Sequence, residues 1–240
     1  MNEFKKRNML LMSDPKLLGN NNLKNYIDDI RDLLGDSNEL LFIANARPGG
    51  ILSETYFANV KSEFKAVDID VKGFGDYKTP SNAISKAKAI FLGGGNTSFL
   101  AKSLQKGGLM NWLGYAIKDG VPFMAEGAGS IMVGQSVHFA KDRWATIPLD
   151  SCGLSVVPFD ISPHYDISNY KSENRSIEEV LKLSKQTADF VVAIPNGVFL
   201  RIKGDKMHSI GAEGIHVFGK SLEVPLTYTP KEDLSKLLNL

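Results

Sequence analysis

Cys152 is the only cysteine in these 240 residues, which excludes an intrachain disulfide and any thiolate metal cluster. A reducing, cytoplasmic setting is the expectation that follows. Net charge is also lacking. Lys and Arg number 28 against 27 Asp and Glu, leaving +1, so the chain has no field that would gather nucleic acid or an acidic membrane surface. Long apolar runs are missing too: Met9 to Met12, which follows Lys5, Lys6 and Arg7, is too short for a signal-peptide core or a membrane span. Of the four histidines, His138, His208 and His216 are scattered without metal spacing, so neither a metal nor a cofactor is expected. Function should therefore rest in a local site. At 43% hydrophobic residues the chain can bury a full core, and one domain over residues 1–240 is expected, with the oligomeric state left open.

Apolar runs alternate with helical periodicity through the first half. Met9–Met12, Leu40–Ala44, Ala66–Val71, Ala89–Leu92 and Val121–Ala125 read as strands. Between them Leu23–Leu34, Ser53–Phe64, Ser81–Lys88, Thr97–Gln105 and Leu109–Lys118 read as helices. Continuous apolar strands separated by helices predict an α/β fold, a mostly parallel sheet with helices on both faces and ligands at the strands' carboxyl ends. Beyond Gly134 the pattern changes to short strands: Val137–Ala140, Leu154–Val157, Val191–Ile194, Val198–Ile202, Met207–Ile210 and Ile215–Phe218. Hairpin-like connections at Lys203-Gly204-Asp205 and Ala212-Glu213-Gly214 predict antiparallel pairing there. One helix, Ser176 to about Ser184, interrupts them, and an amphipathic piece runs from Pro230 to Leu238.

Three stretches carry candidate chemistry. In Val121-Pro122-Phe123-Met124-Ala125-Glu126-Gly127-Ala128-Gly129-Ser130 an apolar strand breaks into small residues and continues as a helix, the shape of a nucleophile elbow with Gly127 at its turn. The second is Phe91-Leu92-Gly93-Gly94-Gly95-Asn96-Thr97, whose lack of a following lysine argues against a nucleotide P-loop. The third is Ile161-Ser162-Pro163-His164-Tyr165. Taken singly, the glycines read as a tight turn, His164 as a packed histidine, Glu126 as a solvated or ion-paired turn residue, Ser130 as a small packing residue and Cys152 as inert.

Taken in order, these stretches resemble the peptidase E family, serine hydrolases that cleave dipeptides with an amino-terminal aspartate and have a class I glutamine amidotransferase-like fold. The resemblance runs from the first strand to about Gly204. It implies that the nucleophile position is Gly127, within Glu126-Gly127-Ala128-Gly129 where Trp-Ser-Ala-Gly is usual. It implies that the base is His164, and that the carboxylate orienting it is replaced by Asn196 in Ile194-Pro195-Asn196-Gly197. It further implies backbone oxyanion donors from Gly94 or Gly95 and Ala128, with Asn96 and Arg175 on the substrate. A serine needs a base, the base needs an orienting partner, and the oxyanion needs donors. Two of these three side-chain roles are substituted here.

The expectation is a peptidase E-like homologue that has lost catalysis and keeps a pocket for a small acidic or dipeptide-like ligand. One alternative is an active hydrolase using Ser130 as a displaced nucleophile, or water activated by His164 or Glu126. The other is a structural or interaction protein with a vestigial pocket.

Overall fold

The computed structural model describes residues 5–13, 26–47, 51–140, 152–165, 177–187 and 189–239. The first half alternates as expected: β1 (Asn8–Met12), α1 (Ile27–Leu34), β2 (Glu39–Ile43), α2 (Ile51–Lys65), β3 (Asp70–Lys72), α3 (Pro80–Lys86), β4 (Ile90–Leu92), α4 (Thr97–Lys106), α5 (Met110–Lys118), β5 (Phe123–Glu126) and α6 (Ala128–Met132). The second half comprises β6 (Asp160–Tyr165), α7 (Ile177–Thr187), β7 (Phe190–Pro195), β8 (Phe199–Lys203), β9 (Lys206–Ile210), β10 (Ile215–Gly219) and β11 (Leu226–Tyr228).

A seven-stranded sheet has the order β3-β2-β4-β5-β1-β8-β9. Its first five strands are parallel, and β8 and β9 join antiparallel at one edge. Side-chain alternation explains why these strands are apolar throughout. Met9, Leu11, Leu41, Ile43, Ile90, Leu92, Phe123 and Ala125 pack into one buried cluster with α3, α4, α5 and α6. Their neighbours Leu10, Met12, Leu40, Phe42, Phe91 and Met124 pack into another with α1 and α2. Both faces are covered, so an interior strand has no polar face to show. The fold is α/β with a mostly parallel sheet and helices on both faces.

The extra C-terminal strands are present, arranged differently from the sequence reading. A second sheet has the order β11-β10-β7-β6, in which β6 and β7 are parallel and the other pairs antiparallel. The Gly204-Asp205 connection is a hairpin between β8 and β9. Ala212-Glu213-Gly214 is not one, because β9 ends the first sheet and β10 starts in the second. Val137–Ala140 and Leu154–Val157 form no strands, although Val137, Phe139, Val156 and Val157 are buried. Ala66 to Asp68 is a turn, with Asp68 at φ 60°, and only Asp70–Lys72 pairs. The Pro230–Leu238 piece is a short 3-10 turn, Ser235–Asn239.

His216 on β10 packs against Tyr165 on β6, with ring centroids 5.0 Å apart, and is 7% exposed. Burial pushes its imidazole below the ordinary value and pushes the Tyr165 phenol up to about 12. Because the folded state disfavours the imidazolium, the unfolded chain binds more protons once the pH drops below the ordinary value of 6.5. The stability from the neutral ring is therefore present above that value and lost as pH falls toward the depressed folded value. Urea unfolding should show stability falling from pH 7.5 to pH 5.5, and less steeply in His216→Phe. An equal slope in the variant would exclude His216 as the source.

Candidate functional site

The carboxyl ends of the parallel strands converge. Ser13 follows β1, Arg47 lies beyond β2, Gly94 follows β4, and Gly127 links β5 to α6. The second sheet adds His164 near the end of β6 and Asn196 just after β7, neighbours because Tyr165 pairs with Pro195 in parallel register. Ser162 to Tyr165 contains a register shift, and His164 itself has φ 56°, a conformation uncommon outside glycine. That bend turns the imidazole toward Gly127.

Gly127 has φ 47° and ψ −109°, and its N–H donates to the Met12 carbonyl at 3.0 Å. This is a sharp strand-to-helix turn in a backbone region that glycine adopts without a Cβ clash. A Cβ built there would lie 3.6 Å from His164 Nε2, 3.7 Å from the Ser13 carbonyl oxygen and 4.0 Å from Gly94 Cα. The imidazole therefore faces the position from which a side chain would project.

Behind the imidazole, His164 Nδ1 lies 3.0 Å from Asn196 Oδ1. The Ser13 hydroxyl donates to the same oxygen at 3.3 Å and accepts the His164 backbone N–H at 2.6 Å. With the amide oxygen placed toward both groups, the tautomer with its proton on Nδ1 is the one that completes the hydrogen bond, and Nε2 is the nitrogen nearer Gly127. Asn196 can fix this tautomer, but it carries no charge to stabilise an imidazolium. Ser13 was legible only as the stop after a strand; its role links it to His164, 151 positions away, and to Asn196, 183 positions away.

Of the two readings of Glu126, solvated or ion-paired, burial removes the first: the residue is fully buried. Tyr56 donates its hydroxyl to Glu126 Oε1, and the Gly94 N–H reaches the same oxygen at 3.1 Å and the Tyr56 oxygen at 3.3 Å. The Arg47 guanidinium lies 3.9 Å above the Tyr56 ring centroid. No sequence motif pointed to Tyr56 or Arg47; both come from the helix and loop that follow β2.

The other candidates are placed as follows. Ser130 is fully buried, its hydroxyl shared between the carbonyls of Met12 at 2.7 Å and Ala125 at 3.0 Å. Asn96 caps α4, its Oδ1 accepting the Phe99 N–H at 2.6 Å. Gly95 packs on the Ala46 carbonyl, and Ala128 opens α6. Arg175 lies outside the described residues. An open cleft of about 680 Å³, lined by residues that include Glu39, Lys72, Asp76 and Lys88, lies instead at the amino ends of β2 and β4. It shares no residue with the His164 constellation.

Among the described residues no helix is long and apolar enough to cross a membrane. The model of Peptidase family S51 matches residues 9–210. Peptidase E of Streptomyces coelicolor is 30% identical over 238 residues, covering 97% of this chain and 96% of that one. Peptidase E of Shewanella baltica is 31% identical over 240 residues, covering 96% and 97%. A solved peptidase from an acI-B1 Actinobacterium superposes with a TM-score of 0.71 at 16% identity, covering 97% of this chain and 98% of that one, a likeness of fold. With the strand order, the Gly127 turn and the histidine placed as described, the match over residues 9–210 decides the assignment: this chain belongs to Peptidase family S51.

Proposed function

We propose that this chain is a serine-peptidase homologue of the aspartyl dipeptidase type, folded as one domain, that has lost hydrolysis and keeps a pocket for a small acidic or peptide-like ligand. The observation that carries the reading is Gly127: an elbow backbone at φ 47° whose missing side chain would project to within 3.6 Å of His164 Nε2. A glycine offers no hydroxyl for the base to activate, and Asn196 leaves that base without a charged partner. The fully buried Ser130, already donating to two carbonyls, supplies no replacement. The relatives that match along nearly the full chain are named Peptidase E, which favours a peptide-like ligand.

Two measurements test this. The purified protein should hydrolyse aspartyl dipeptides no faster than background; turnover of order 1 per second, the low end of ordinary enzymes, that vanished in Ser130→Ala would install the displaced nucleophile. In parallel, an acidic dipeptide should raise the melting temperature, since a ligand of the folded state stabilises it by mass action. Arg175→Ala should abolish that rise if its guanidinium pairs with the ligand carboxylate. An undiminished rise would remove Arg175 from the site.

A further inference from the structure

The Gly94 amide, by resemblance a candidate oxyanion donor beside Gly95 and Ala128, does not face open space. It donates 3.1 Å to Glu126 Oε1, the oxygen that also receives the Tyr56 hydroxyl. Two donors converging on one oxygen is the arrangement that stabilises an oxyanion, and here the oxygen is the chain's own. We propose that Glu126 is an internal occupant of the oxyanion site, its carboxylate binding the Gly94 N–H in place of a ligand's carbonyl oxygen and holding that site shut. The proposal rests on the hydrolase-frame reading and adds a second lock, independent of the missing nucleophile.

Position supports it. Leu92 on β4 pairs with Ala125 on β5, so Gly94 and Glu126 leave the sheet side by side. A Cβ on Gly94 would come within 3.2 Å of Glu126 Cγ and 3.3 Å of its Oε1, and Gly94 Cα is 4.0 Å from the Cβ position of Gly127. The carboxylate thus lies on the same rim as the nucleophile position. Competition favours it, because an attached side chain needs no association step and a free ligand does. The Arg47 guanidinium, stacked on Tyr56, helps hold the second donor in line.

The experiment uses the full chain carrying Gly127→Ser and Asn196→Glu, and reads phosphonylation of the introduced hydroxyl by a fluorophosphonate, whose P=O needs the same donors. Adding Glu126→Trp, the family's usual aromatic, should speed labelling at least about 10-fold and toward the order of 10² to 10³ that one oxyanion donor commands. Tyr56→Phe, the milder change, loosens the carboxylate without removing it and should give a smaller gain in the same direction. Equal labelling with and without both changes overturns the lock and leaves the hydrolase frame intact. If no folded variant is labelled, the frame fails and the Gly94 amide proton in the unsubstituted chain decides. A downfield resonance that moves in Tyr56→Phe and Glu126→Gln upholds the occupant, and an unmoved one overturns it.

Discussion

Gly127→Ser combined with Asn196→Glu will hydrolyse an activated ester or an aspartyl dipeptide measurably, where the parent gives only background. A serine Cβ at this turn starts 3.6 Å from His164 Nε2, so one rotamer brings the hydroxyl within the roughly 2.6–3.2 Å that proton transfer needs. Asn196 already accepts from Nδ1 at 3.0 Å. What it lacks is charge; the neutral amide costs about 10⁴ in turnover in the chymotrypsin triad, where it also sets the wrong tautomer, so that figure is an upper bound for the charge alone. Gly127→Ser alone should therefore be slower than the double variant by a factor of order 10² to 10⁴. Asn196→Asp is the length-conserving control and should recover part of that factor. The double variant should stay below about 1 per second, because the Gly94 N–H is held by Glu126 and one oxyanion donor is worth about 10² to 10³. A folded double variant with no activity, even after Glu126→Trp, would show that His164 is not poised as a base.

The sheet was legible because burial on both faces writes itself into the sequence: Leu10 and Leu11 go to opposite clusters and both must be apolar. The second sheet was harder. β6 carries Ser162, Pro163 and His164, residues that weaken a strand pattern, so it showed as a motif and not as an element. Val137, Phe139, Val156 and Val157 mislead in the opposite way, buried without pairing, since an apolar run reports burial before it reports strand. The Gly127 turn could be read from its own run of small residues, whereas His164 was singled out only by the family resemblance. Ser13, Tyr56 and Arg47 could be read neither way, because what gives each its role lies in another part of the fold; Tyr56 meets Glu126 across 70 positions. The solvated reading of Glu126 fails for the same reason. A carboxylate at a strand's end looks solvated until the hydroxyl and amide that bury it are known.

The elbow also makes a prediction about stability in which two effects of opposite sign compete. Gly129 is the second residue of α6, and on helix propensity alone Gly129→Ala should stabilise by about 0.8–1.0 kcal/mol. Packing says otherwise. A Cβ at Gly129 would lie 2.2 Å from the Leu92 carbonyl oxygen and 3.0 Å from the carbonyl carbon, both backbone atoms of a central strand that cannot rotate away. Relief requires α6 to lift from β4, and forced overpacking of that kind costs about 1–3 kcal/mol or more. Gly129→Ala should therefore destabilise, at the upper end of that range or beyond it. Gly127→Ser is the comparison. Its Cβ meets nothing closer than 3.6 Å, so its cost is the backbone strain of φ 47°, about 1–3 kcal/mol. Urea unfolding of both variants should rank Gly129→Ala as the less stable, with both below the parent. A Gly129→Ala protein more stable than the parent would mean that α6 does not approach β4 so closely. A Gly127→Ser protein as stable as the parent would mean that position 127 is not a strained turn, and the elbow, with the lost-nucleophile reading built on it, would fall.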